Sequence, residues 1–134
     1  MSTILVDSNV ILDVFTEDPK WYDWSAETLV RCADEATLAI NPIVYSEVSL
    51  RFETIEELED ALPSDCFHRL ALPWEAAFLA GKCFLKHRSR GGTKRSPLPD
   101  FYIGAHAAVA GIQLLTRDPR RYRTYFPKLQ LIAP

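Results

Sequence analysis

The sequence predicts an α/β domain with a central, mostly parallel sheet of four or five strands, and three observations carry that expectation. Short β-branched and aliphatic runs alternate with stretches of helical periodicity, as in repeated strand–helix units. The chain has 134 residues, a length that suits one domain spanning 1–134 and is short for two. Apolar residues make up 48% and charged residues 25%. That is the balance of a chain able to bury a core, and it sets aside disordered and fibrous classes.

The elements follow in order. Residues 3–6 are an apolar run ending at Asp7, the pattern of a strand buried on both faces. Val10, Ile11, Val14 and Phe15 recur at helical spacing and predict a short helix over 9–15. Asp18-Pro19 opens a helix over 21–33 with Trp24, Leu29, Val30 and Ala33 as its buried face. A second strand over 38–40 is ended by Asn41-Pro42. Pro42 suits the first turn of a helix over 43–52, where a missing N–H has no partner to lose. Thr54 with Glu57 three residues on is a capping box for a short acidic helix to about Ala61. Residues 67–72 read as a third strand. A long helix over 73–86 has Ala76, Ala77, Leu79, Ala80, Cys83 and Phe84 on its apolar side. The stretch 88–99, RSRGGTKRSPLP, loses periodicity and reads as a loop. An Ala-rich helix over 100–110 ends at Gly111, a fourth strand covers 112–115, and 129–132 forms an edge strand.

The net charge of −3 conceals an asymmetry. Residues 1–65 hold 15 acids against Lys20, Arg31 and Arg51, whereas residues 66–134 hold 12 Lys and Arg against Glu75, Asp100 and Asp118. Such a split makes a polyanionic partner such as a nucleic acid worth considering. Cys32, Cys66 and Cys83 are odd in number and scattered, so a disulfide framework or zinc ribbon is not expected and a reducing cytoplasm is. No signal-peptide core and no apolar run of roughly 20 residues is present, so no membrane association is expected.

Ligands of open parallel sheets bind outside the carboxyl ends of the strands. Asp7 directly follows the first strand and Asp118 the fourth. Asp100 opens the helix before the fourth strand, and Glu47 lies one turn into the helix after the second. Taken singly, each has an ordinary reading: Asp100 as a helix N-cap, Asp118-Pro119 as a turn opener, Glu47 as a solvated helix position. Their joint placement points to a site. Two carboxylates about 4 Å apart repel by roughly 4 kcal/mol near a protein surface. A converging set therefore calls for a cation, and oxygen donors without His or Cys suit Mg²⁺ or Mn²⁺. His68, His87 and His106 lack metal-ligand spacing, and His106 reads as a packed histidine. Trp21, Tyr22 and Trp24 read as packing residues. Basic residues gather at Lys82, Lys86, Arg88, Arg90, Lys94 and Arg95, and again at Arg117, Arg120, Arg121 and Arg123 around Asp118. The second group, with Lys94 and Arg95, is the expected track for a polyanionic backbone, although 88–95 also reads as a solvated loop.

Four segments carry a resemblance. ILVDSNVILDVF, INPIVYSEV, LPDFYIGAHAAVAG and LLTRDPRRYRTYFP resemble, in order and spacing, the four motifs of the PIN-domain ribonucleases, above all the VapC-type toxins of toxin–antitoxin pairs. The likeness runs from residue 3 to residue 132. It implies a three-layer α/β/α domain and Mg²⁺- or Mn²⁺-dependent endonucleolytic cleavage of RNA. It further implies an antitoxin partner that wraps the toxin and a homodimer. Carried over, Asp7 and Asp100 would be the principal metal ligands, with Glu47 and Asp118 completing the catalytic set. Asn9 would orient Asp7, and Thr116 would support the pocket edge. One departure stands out: some members carry a further acid soon after the position of Asp118, where this chain reads Pro119-Arg120-Arg121-Tyr122.

Other classes fit less well. A haloacid-dehalogenase-type Mg²⁺-dependent phosphatase wants a second Asp two residues after the first, where this chain has Asn9. A receiver domain wants paired early acids. A catalytically inactive PIN fold that binds RNA or protein is the remaining alternative, and retention of all four acids argues against it.

Overall fold

The computed structural model of the protein describes residues 2–92 and 98–134. Its five strands are β1 (Thr3–Val6), β2 (Thr37–Ile40), β3 (His68–Arg69), β4 (Gln113–Leu115) and β5 (Leu131–Ile132). They form one sheet in the order β3-β2-β1-β4-β5, and each pairing is parallel. The helices are α1 (Ser8–Phe15), α2 (Tyr22–Glu35), α3 (Pro42–Ser49), α4 (Ile55–Ala61), α5 (Trp74–Ser89), α6 (Pro99–Ala110) and α7 (Arg120–Tyr125).

The chain steps one way from β1 through β2 to β3, then crosses back to β4 and on to β5. With right-handed crossovers this reversal divides the helices between the two faces of the sheet, giving three α/β/α layers. The central strands bury consecutive residues: Ile4, Leu5 and Val6 in β1, and Leu114 and Leu115 in β4. Both faces of such a strand are covered by helices, which is why it reads as an unbroken apolar run. Among the described residues no helix is long and apolar enough to cross a membrane.

Several elements differ from expectation. The inward face of α2 is Ser25, Thr28 and Cys32, with Trp24 and Leu29 packed at its margin, while Val30 is 64% exposed and Ala33 is exposed. The reason is polar. Ser25 Oγ donates to the buried Asp13 of α1 at 2.8 Å, and that contact sets the rotation of α2. β3 pairs over two residues rather than six, and α3 ends at Ser49 rather than 52. α5 continues to Ser89, absorbing the start of the expected loop, whose residues 93–97 lie outside the described ones together with Lys94 and Arg95. The N-cap of α6 is Leu98, so Asp100 sits inside the first turn and is not the cap. α7 was not expected, because RRYRTY offers no apolar stripe beyond Tyr122.

Other local features follow the sequence. Thr54 Oγ1 accepts from the Glu57 N–H and opens α4. Asn41 caps α3 by accepting from the Val44 N–H at 2.9 Å. Its side-chain nitrogen also meets Nδ1 of the buried His106 at 3.0 Å, tying α3 to α6.

Candidate active site

The sheet reverses its winding between β1 and β4, and such a switch point opens a crevice at the carboxyl ends of the strands. Asp7 and Thr116 emerge there side by side. The Asp7 N–H donates to the Leu115 carbonyl at 2.8 Å, and the Thr116 N–H to the Ile132 carbonyl at 3.0 Å. The ladder thus holds both backbones one residue beyond the strands. Asp7 occupies the N-cap position of α1, yet its carboxylate makes no capping bond and turns to the crevice instead.

Three neutral donors meet on Oδ2 of Asp7. Tyr122 donates its hydroxyl at 2.8 Å, Thr116 its Oγ1 at 2.9 Å and Asn9 its Nδ2 at 3.3 Å. The Asn9 side chain also donates to Thr116 Oγ1 at 3.2 Å and accepts from the Arg117 N–H at 3.3 Å, which fastens α1 to the turn after β4. Tyr122 Oη stands 3.4 Å from Asp100 Oδ1 as well, so one hydroxyl touches both carboxylates. Ser8 Oγ donates to Glu47 Oε1 at 2.8 Å from the same end of α1.

Electrostatics binds these acids into one group. Burial, then the charge of Asp100 and also that of Glu47, raise the Asp7 carboxyl from its ordinary 3.8 to about 7, against the opposing donors Tyr122 and Thr116. Burial likewise raises Glu47, with Asp100 adding to it and the Ser8 hydroxyl opposing. Ser8 Oγ, 2.8 Å from Glu47 and 3.5 Å from Asp7, and Tyr122 Oη, 2.8 Å from Asp7 and 3.4 Å from Asp100, bring Asp7, Glu47 and Asp100 to one crevice. Asp118 lies further out. It shares a cleft of about 350 Å³ with Asp100, Arg120, Arg121 and Tyr125, and pairs with Arg120 at 3.3 Å.

The basic residues have partners of their own. Arg121 Nη1 lies 3.0 Å from Asp100 Oδ2. Arg117 is turned inward: its Nε donates to Asp13 Oδ2 at 2.9 Å and to Oδ1 at 3.1 Å, with its guanidinium 5.8 Å from the Trp21 ring centre. Sequence reading missed three members of this constellation. Asp13 was detectable as an acid in the middle of an apolar helical stripe. Ser8 stands in the first motif, where nothing beside it marks its contact with Glu47. Nothing local marks Tyr122, since its place depends on how α7 packs.

The donor set fits a hard divalent cation in kind. All its members offer oxygen, and burial together with mutual repulsion raises Asp7 and Glu47, a cost that a cation relieves. As the side chains stand, with Arg121 on Asp100, no three His, Cys, Asp or Glu residues among the described ones form a ready-made cage.

Comparison with known proteins bears on this arrangement. The family model described as PIN domain matches residues 4–127. VapBC2 from Rickettsia felis, solved with a DNA fragment from its promoter, contains a chain that superposes with a TM-score of 0.72 at 18% identity, covering 98% of each chain. VapBC-1 from nontypeable Haemophilus influenzae gives 0.71 at 19% identity over 98% of this chain and 97% of that one. A toxin–antitoxin complex from Klebsiella pneumoniae gives 0.65 at 18% identity over 96% and 95%. At these identities the likeness is one of fold. No curated protein matches the chain.

Proposed function

The chain belongs to the PIN domain family, and from that premise we propose that it is a Mg²⁺- or Mn²⁺-dependent endoribonuclease, the toxin of a toxin–antitoxin pair. The observation that carries the reading is the meeting of Asp7, Glu47 and Asp100 at the sheet's switch point, where burial and mutual repulsion raise Asp7 to about 7. Asp7 and Asp100 are assigned as the principal ligands, with Glu47 and Asp118 completing the set directly or through water. A divalent ion held there supplies Lewis acidity toward a phosphoryl oxygen and acidifies water.

The remaining roles belong to the chain's own residues. Asn9 and Thr116 hold Oδ2 of Asp7 in place. Glu47, whose proton affinity is raised, is suited to take the proton of the attacking water, and Asp118, which lines a cleft with Asp100, is assigned to assist. Arg120 and Arg121 are surface-paired with Asp118 and Asp100 and exchange those contacts for the RNA backbone; Lys94 and Arg95 are assigned to the same backbone on their charge in the sequence. A cognate antitoxin is the proposed protein partner, a homodimer the proposed assembly and the cytoplasm the proposed compartment. The Klebsiella pneumoniae relative is itself a toxin–antitoxin complex.

The test is Mn²⁺-dependent cleavage of single-stranded RNA by purified protein. Asp7→Asn and Asp100→Asn each lower the rate more than a hundredfold, since losing a ligand exceeds the roughly 10- to 100-fold effect of losing an outer partner. Full activity in both variants overturns the assignment. Hydrolysis of a phosphomonoester but not of RNA would transfer the site to phosphatase chemistry. Mapping RNA ends after brief expression of wild type and Asp7→Asn identifies the substrate, and suppression of growth arrest by a small protein encoded alongside tests the toxin role.

A further inference from the structure

We propose that Tyr122 is the positioning residue of the cation site: its hydroxyl fixes one edge of Asp7 and links it to Asp100, so that the other edge of Asp7 is presented to the ion. The inference rests on the metal-dependent reading above and concerns a residue outside the acidic set.

Asp7 Oδ2 is saturated, receiving Tyr122, Thr116 and Asn9, whereas Oδ1 has among the described residues a single distant contact, Ser8 Oγ at 3.5 Å. A carboxylate held on one oxygen by three donors cannot rotate freely, and the lone pairs of its other oxygen acquire a fixed direction. Tyr122 makes the shortest of the three bonds. It alone of them also reaches Asp100, its oxygen 3.4 Å from Oδ1, so the hydroxyl that donates to Asp7 stands between the two carboxylates proposed as principal ligands.

The ring is held as firmly as the hydroxyl. Tyr122 is 1% exposed, and its Cδ1 stands 3.0 Å from where a Cβ on Gly104 of α6 would lie. The phenol is a neutral donor, and its 2.8 Å bond to Asp7 Oδ2 is made from a fully buried position. It contributes no charge to a site already crowded with acids. Outer partners of this kind typically change metal affinity by about 10- to 100-fold.

The experiment is Mn²⁺ binding by calorimetry, without RNA, to wild type, Tyr122→Phe and Asp7→Asn, with the metal-free melting midpoint of each. The expected result is no binding by Asp7→Asn and binding about 10- to 100-fold weaker by Tyr122→Phe at a midpoint near wild type. Cleavage by Tyr122→Phe then recovers as Mn²⁺ is raised, which a general packing defect does not produce. Wild-type affinity in Tyr122→Phe, beside loss in Asp7→Asn, overturns this inference and leaves the metal reading standing. No binding by wild type overturns both. Should Tyr122→Phe fail to fold, Tyr125→Phe removes the other cleft tyrosine and saturating Mn²⁺ must still shift the tyrosine absorbance; an unchanged spectrum overturns the role.

Discussion

At Asp7, burial and neighbouring charge act in the same direction, and the consequence is a stability that depends on pH. In the metal-free fold its carboxyl holds a proton up to about pH 7, whereas its ordinary value is 3.8. Between those values the folded chain binds more protons than the unfolded one, so stability falls as pH rises through the window. At 1.36 kcal/mol per unit the loss is up to about 4 kcal/mol. Glu47, also raised, adds to it with the same sign. Urea denaturation of metal-free protein between pH 4 and 7 should show the decline, and Asp7→Asn should flatten most of it; an equally steep decline in the variant refutes the assignment. The position of Asp7 was legible in the sequence because an apolar strand stops there. Its Tyr122 partner was not, because residues 115 apart meet only through packing. Asp13 falls between the two cases. An acid amid Val10, Ile11 and Val14 signals a buried partner, but only the fold reveals that the partner is Arg117, which a basic run alone assigned to RNA.

At the scale of elements, the site depends on how α6 and α7 touch. α6 delivers Asp100, α7 delivers Tyr122, and at Gly104 of α6 the helix leaves no room for a side chain beneath Tyr122 and Phe126. A Cβ there would collide with the Phe126 ring and press on Tyr122. Overpacking of this kind costs about 1–3 kcal/mol. The better helix propensity of Ala returns at most about 1 kcal/mol, so the clash dominates. Gly104→Ala should therefore unfold at lower urea and bind Mn²⁺ more weakly, as Tyr122 is displaced; a variant equal to wild type in both measurements would show that the contact yields without moving the tyrosine. The helices over α1, α3, α4 and α6 were legible from spacing, Pro42, Thr54 and Gly111. The rotation of α2 was not. Its sequence supports an apolar stripe through Val30, and the Ser25–Asp13 bond overrides it. α7 is too short and too basic to show a periodic signal, and it forms because Tyr122 anchors it.

Across the whole molecule, folding interleaves the acidic and basic halves. Asp7 and Glu47 from the first half meet Asp100 from the second, and Arg120 and Arg121 stand at the rim of the same cleft. Their ion pairs with Asp118 and Asp100 are partly or largely exposed, and such pairs contribute about 0–1 kcal/mol. A phosphate can displace them. RNA affinity, measured by anisotropy on the Asp7→Asn protein to prevent cleavage, should fall linearly with the logarithm of salt. Replacing both arginines by Gln should reduce that slope by about 1.4, at roughly 0.7 per single-strand phosphate contact; an unchanged slope removes them from the RNA track. Local periodicity and turn chemistry suffice for the alternation of strand and helix, the buried central strands and the placing of Asp7, Asp100 and Asp118 at element junctions, with Glu47 inside the helix after β2. Which side chains meet is a matter of packing. The order of strands in the sheet and the seating of α7 bring positions 7, 47, 100 and 122 together, turn Arg117 inward to Asp13, and leave Asp118 at the outer wall, since contacts between distant segments depend on packing that no local pattern encodes.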